Sequence, residues 1–223
     1  RNRRALVEAG CVNAWITRNA SAHGLFYAPD PSSQTACTIG GNIATNSGGP
    51  HTLKNGVTSN RVLGYEMVLP DGTIEWLGVE PDGGEEVAGF DLRGAAIGSE
   101  GMFGVVTRVL VRLMKTPPAF KTFLCVFESV DEASQAVSGI IAAGIVPAAL
   151  EMMDQLITQA LEEAYHFGFP LDAGAVLIVE LDGLPKGVEQ QAKRVEEVCC
   201  QNNASEVRLA KDDAERAALW KCR

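Results

Sequence analysis

Short apolar stretches closed by glycine or proline punctuate the first half of the chain. Residues 4–9 read as a strand ending at Gly10, 25–28 as a strand closed by Pro29-Asp30-Pro31, and 105–114 as a β-rich run. The stretches 62–69 and 73–77 flank Pro70-Asp71-Gly72, a turn sequence that predicts a β-hairpin. One early helix is predicted over 12–22, with Asn13 as N-cap and Gly24 as its stop. From residue 116 onward the rhythm becomes strand, helix, strand, helix. Strands are expected at 121–127, 148–152, 175–181 and 206–209, and helices at 131–143, 154–167, 187–202 and 212–223. The first half thus reads as α+β with a glycine-rich loop, and the second as a small α+β sandwich of ferredoxin-like type.

Glycine follows the same division. Most of the 23 glycines fall between Gly40 and Gly104, and they thin out after Thr116. Thr116-Pro117-Pro118 is therefore expected to separate two domains, 1–115 and 116–223. A chain of 223 residues has room for both. With 46% hydrophobic and 21% charged residues, intrinsic disorder is excluded, and a net charge of −9 lacks the basic footprint of a nucleic-acid protein. No apolar run approaches the ~20 residues that span a bilayer. Six cysteines without a C-x-x-C pair and three scattered histidines show no metal-ligand spacing, so no metal site is expected in this chain. The cysteines are expected as the reduced thiols of a cytoplasmic protein. Both ends are abrupt, as in a segment of a longer polypeptide.

The candidate chemistry lies between Pro29 and Gly49. The pairs Gly40-Gly41 and Gly48-Gly49 let backbone approach a bulky ligand without collision with a β-carbon. Successive amides in such a loop form a nest for phosphate oxygens, and Thr38, Asn42, Thr45 and Asn46 add neutral hydroxyl and amide partners. Tight packing alone explains the same glycines equally well. No G-x-G and no P-loop sequence occurs, so a dinucleotide bound here would sit in neither of those folds. Residues 98–104 carry glycine at every third position, either as a bend into a strand or as a second cofactor approach organised by Glu100. His51 is a candidate catalytic base, with a loop histidine bonded to backbone as the plainer reading.

Taken together, Pro29-Asp-Pro-Ser32, Thr38-Ile-Gly-Gly-Asn42, Asn46-Ser-Gly-Gly49, Lys54-Asn-Gly-Val-Thr58, Leu69-Pro-Asp-Gly72, Phe90-Asp-Leu92 and Gly98-Ser-Glu-Gly101 resemble the FAD-linked oxidases of the vanillyl-alcohol-oxidase type. Within that group the chain is most similar to the glycolate oxidase flavin subunit and to D-lactate and D-2-hydroxyglutarate dehydrogenases. The resemblance implies the second half of a PCMH-type FAD-binding domain, followed by part of a ferredoxin-like α+β cap domain. It implies FAD held by Pro29, Asp30, Ser32, Thr38, Gly40, Gly41, Asn42, Ala44, Asn46, Gly48, Gly49, Gly56, Glu100, Gly104, Val105 and Val106. It also implies that Arg223, closing Trp220-Lys-Cys-Arg223, grips a substrate carboxylate; an exposed helix-end cation is the competing reading.

The implied activity is oxidation of a small 2-hydroxy acid, of glycolate or D-lactate type, to the 2-oxo acid by hydride transfer to flavin. A non-catalytic fragment or interaction module on the same scaffold is the alternative, as is an oxidase of this fold acting on a sugar or alcohol. The implied electron acceptor is a partner subunit or a quinone. The implied location is cytoplasmic, with peripheral attachment to the inner membrane left open. A second glycine-rich loop is expected before Arg1. A histidine-rich segment, able to bring a divalent metal in the full-length protein, is expected after Arg223. Asn55 and Met102-Phe103 depart from the family, where many relatives carry tyrosine and threonine-leucine.

Overall fold

The structure, a computed structural model, describes residues 2–83 and 89–222. The chain divides into two compact units, Arg1–Thr116 and Pro117–Arg223. Both are mixed helix and sheet.

In the first unit, β1 (Arg4–Glu8), α1 (Asn13–Ala20), β2 (Leu25–Phe26), α2 (Ile39–Thr45) and α3 (Thr52–Asn55) precede the hairpin of β3 (Val62–Val68) and β4 (Ile74–Gly78). Then follow α4 (Leu92–Ala96), β5 (Val105–Arg112) and β6 (Met114–Lys115). The sheet order is β1-β5-β3-β4, antiparallel throughout, with β2 and β6 paired separately. The hairpin closes where the sequence places it: the Gly72 N–H donates to the Leu69 carbonyl, and Gly72 takes φ +85°, a conformation that favours glycine. Ile16 of α1 and Ile39 and Ile43 of α2 pack with Tyr65, Val109 and Val111 of the sheet.

Two expectations are corrected here. Asn13 does not cap α1; Val12 occupies that position. The Asn13 side chain is instead buried, its Nδ2 donating to the Pro29 carbonyl (2.9 Å) and its Oδ1 accepting from Asn42 Nδ2 (2.9 Å). Residues 39–45, expected within a loop, form a helix. Thr38 Oγ1 caps it by accepting the Gly41 N–H, and Ile39 and Ile43 at i and i+4 give it a buried face. That burial overrides the poor helix propensity of two glycines.

In the second unit, β7 (Ala119–Phe127), α5 (Val130–Ala142), β8 (Ala149–Asp154), α6 (Gln155–Tyr165), β9 (Ala175–Gly183), α7 (Pro185–Gln201), β10 (Glu206–Leu209) and α8 (Asp213–Leu219) alternate as predicted. The antiparallel order β10-β7-β9-β8 is the ferredoxin-like arrangement, with α6 added between its second and third strands. The apolar run that opens β9, residues 175–179, is covered on both faces, as is Leu181 on one of them. Leu177, Val179 and Leu181 meet α5 and α7, while Val176 and Ile178 meet Phe169, Met153 and Leu219.

Candidate active site

Beside α2 lies a groove of about 320 Å³, lined by Gly40, Gly41, Ile43, Ala44, Met67, Ala96, Ser99, Gly101, Gly104, Val105 and Val106. Three elements shape it. The helix α2 supplies one wall, and the start of β5 pairs with β3 at Val105–Val68 and Val106–Met67 to supply another. The turn at 98–101 is bound to the end of α2, its Gly98 and Glu100 N–H groups donating to the Ile43 and Ala44 carbonyls (2.8 Å each). Glu100 takes φ +53° to make that turn, so its backbone rather than its carboxylate organises the segment.

The glycines divide by what they touch. A β-carbon at Gly40 would stand 2.9 Å from Ala9 Cβ, at Gly48 2.6 Å from Thr52 Oγ1, and at Gly49 2.4 Å from the Asp30 carbonyl. At Gly104 it would stand 2.5 Å from the Val68 carbonyl, and at Gly56, where φ is +75°, 2.3 Å from Asn60 Oδ1. These five are required by the chain's own packing. At Gly41 the nearest atom is Thr38 Oγ1 at 3.5 Å, an ordinary contact, so nothing among the described residues demands a glycine there.

The phosphate-nest reading of the Gly40-Gly41 segment is also corrected. The N–H groups of Ile39, Gly40 and Asn42 already donate to the Cys11, Ala9 and Thr38 carbonyls, and that of Gly41 to Thr38 Oγ1. The Gly49 N–H donates to Thr52 Oγ1 (2.7 Å). The segment offers a surface free of side chains, not free amide dipoles.

Of the residues singled out in the sequence, Gly40, Gly41, Ala44, Gly104, Val105 and Val106 meet at the groove. The others are placed around it in supporting positions. Thr38 caps α2, and Asn42 is buried against Asn13 rather than turned toward the groove. Asn46 ends α2 at φ +49°, its Oδ1 accepting the Ser59 N–H (2.9 Å). Pro29 is buried and accepts from Asn13, and Ser32 is exposed. Asp30 meets Gly49 through its backbone and His51 through its carboxylate, with His51 Nδ1 2.7 Å from Asp30 Oδ2. His51 is thus bound to a side-chain carboxylate, and the pair ties residues 29–32 to 48–52. Asn55 is buried, and its carbonyl accepts from Arg61 Nε and Nη2. Arg223 lies outside the described residues.

Ser99 and Gly101 line the groove as part of the 98–104 segment, one of whose two sequence readings is a cofactor approach. Sequence reasoning missed Ile43, Met67 and Ala96, and Met67 and Ala96 carry no local signal. Burial raises the pKa of the Cys11 thiol, which keeps it protonated and unsuited to nucleophilic work. Among the described residues, no group of three or more His, Cys, Asp or Glu side chains is arranged to hold a metal ion. No helix among them is long and apolar enough to cross a membrane.

Comparison with known proteins places this geometry. Residues 1–78 match the FAD binding domain family, and residues 116–223 match the C-terminal domain of FAD linked oxidases. Glycolate oxidase subunit GlcD of Escherichia coli K12 is 46% identical over 218 residues, covering 98% of this chain and 43% of the relative. GlcD of Bacillus subtilis is 42% identical over 222 residues, covering 100% and 47%. The chain therefore spans less than half the length of these curated relatives. The fold matches substrate-bound p-cresol methylhydroxylase with a TM-score of 0.77 at 17% identity, over 98% of this chain and 48% of that one. Two family matches, one in each unit, together with the GlcD relatives, show that the chain belongs to the FAD-linked oxidases.

Proposed function

We propose that the protein containing this chain oxidises a small 2-hydroxy acid, of the glycolate or D-lactate type, to the 2-oxo acid with FAD as electron acceptor. The observation that carries the reading is Gly41, a groove-lining glycine that the protein's own packing does not require. A position kept bare with no internal reason fits close approach by a ligand. The walls are backbone and small apolar side chains, Ile43, Ala44, Met67, Ala96, Val105 and Val106, which suit a planar ring better than a phosphate. The groove accordingly takes one of the two ring systems of FAD, between Gly40-Gly41 and Val105-Val106. Pro29, Asp30, Ser32, Thr38, Asn42, Asn46, Gly48, Gly49, Gly56 and Glu100 belong to the segments that frame this cradle.

When bound, FAD supplies the acceptor for the two electrons that leave the substrate carbon. This chain's residues bind and orient. Arg223 offers the planar fork of a guanidinium to the substrate carboxylate, two parallel N–H donors that fix direction as well as charge. Holding the carboxylate fixes the orientation of the adjacent carbon, which is where positional control lowers the barrier. The substrate class and the need for a partner that removes electrons follow the names of the GlcD relatives, each called a subunit of glycolate oxidase. A quinone is the other acceptor compatible with the reading, and a cytoplasmic location is part of it. The test is the flavin content of the purified full-length protein and its response to glycolate and D-lactate. Bound FAD that is reduced by one of the two supports the reading. A protein that takes up no FAD is a scaffold without this activity.

A further inference from the structure

We infer that Glu180 is a positioning residue for the substrate-binding arm, holding Arg216 and Trp220, which precede Arg223 in sequence, in one place on the cap sheet. This rests on the assignment of Arg223 to the substrate carboxylate proposed above. Glu180 is fully buried on β9, in the row formed by Val176 and Ile178, where an apolar residue would continue the pattern. A carboxylate in such a row costs several kcal/mol in desolvation unless its lone pairs are filled.

Here they are filled, by donors from two different places. Thr122, directly opposite on β7, donates through Oγ1 (2.9 Å). Among the described residues, three further donors come from the arm: Arg216 through Nε (2.8 Å) and Nη2 (3.0 Å), and Trp220 through Nε1 (2.6 Å). The Arg216 guanidinium also lies over the Phe120 ring, 4.1 Å from its centre.

What this cluster does follows from what the arm lacks. The helix α8 has seven residues, too few to be stable by itself, and only Leu219 within it is buried. Apolar burial of one leucine holds a helix against a sheet but does not set its rotation or its shift along the axis. Three directional, charge-assisted bonds converging on one carboxylate set both. An apolar residue in place of a buried ion pair is commonly as stable or more so, so this pair is better explained by placement than by stability. Trp220 is the last residue of the cluster and stands three positions before Arg223.

The test uses three variants of the full-length holoprotein, with glycolate and D-lactate as probes. Trp220→Phe removes one donor on the arm and keeps a ring, and Glu180→Gln weakens all the bonds. Thr122→Val removes a donor to the same oxygen from the sheet side. Loss of a hydrogen bond to a charged group predicts about a tenfold rise in KM for Trp220→Phe and Glu180→Gln, with kcat changed less than about threefold. Thr122→Val lowers Tm and leaves KM within about twofold of the parent. Independently of any substrate, amide hydrogen exchange over 217–222 should accelerate in the two arm variants and not in Thr122→Val. Equal behaviour of Trp220→Phe and Thr122→Val in both measurements would overturn the inference. If Glu180→Gln does not fold, Trp220→Phe against Thr122→Val still decides between placement and stability. Arg223→Gln separates this claim from the one beneath it. No rise in KM there refutes the role of Arg223, while a large rise with no effect of Trp220→Phe refutes the positioning role alone.

Discussion

An added methyl group at Gly40 would stand 2.9 Å from Ala9, whereas at Gly41 it would meet nothing closer than 3.5 Å. Two adjacent residues of one type therefore make opposite predictions. Gly40→Ala forces the first turn of α2 away from β1 and lowers Tm. Gly41→Leu fills the groove, and because leucine is favoured over glycine in a helix by up to about 1 kcal/mol, the apoprotein is as stable as the parent or slightly more so. Its flavin-to-protein absorbance ratio should fall sharply; full FAD occupancy in Gly41→Leu would show that the groove is not the cofactor's. A second residue gives a pH prediction. Glu66, on the sheet of the first unit, receives hydrogen bonds from Arg108 and Thr107, which hold its pKa down at about 2. A lowered folded-state pKa stabilises the protein above the ordinary carboxylate range, and the contribution fades as pH falls toward about 2. Glu66→Gln should therefore lose less stability than the parent between pH 4.5 and pH 2 in denaturant titrations. Parallel losses in the two proteins would contradict the assignment.

At the scale of elements, α2 is the part of the first unit that the sequence concealed. Thr38 and the pair Ile39 and Ile43 are a cap and an i, i+4 apolar face, yet two glycines between them argue for a loop, and tertiary burial decides the outcome. Thr38→Ala should cost about 1 kcal/mol by removing the cap, and Thr38→Ser should restore most of it. Equal unfolding midpoints for the alanine variant and the parent would show that the cap bond to Gly41 contributes nothing. The hairpin at Gly72 and the strand–helix rhythm after residue 116 were legible because they rest on local turn chemistry and on long apolar runs. The site was legible in part. Gly41, Val105 and Val106 announce themselves in glycine-rich segments, but Met67 and Ala96 reach the groove only through strand pairing and packing. Asn42 misleads for the same reason: its amide serves Asn13, twenty-nine residues away in sequence.

For the molecule as a whole, the proposed activity needs both a flavin cradle in the first unit and a carboxylate-binding arm in the second. Neither part alone explains an oxidase. On the proposed reading, the cradle accounts for the glycines and apolar side chains that line the groove, and the arm for the buried carboxylate of Glu180. The acidic balance of the chain, −9 overall, leaves the carboxylate of a small substrate dependent on a dedicated cation, the role given to Arg223. The most direct test of that joint claim is an anaerobic titration of the purified full-length protein, followed in its visible absorbance. The expected result is a yellow protein whose flavin bands bleach on addition of glycolate or D-lactate. A protein that binds FAD and keeps its colour at saturating concentrations of both would contradict it.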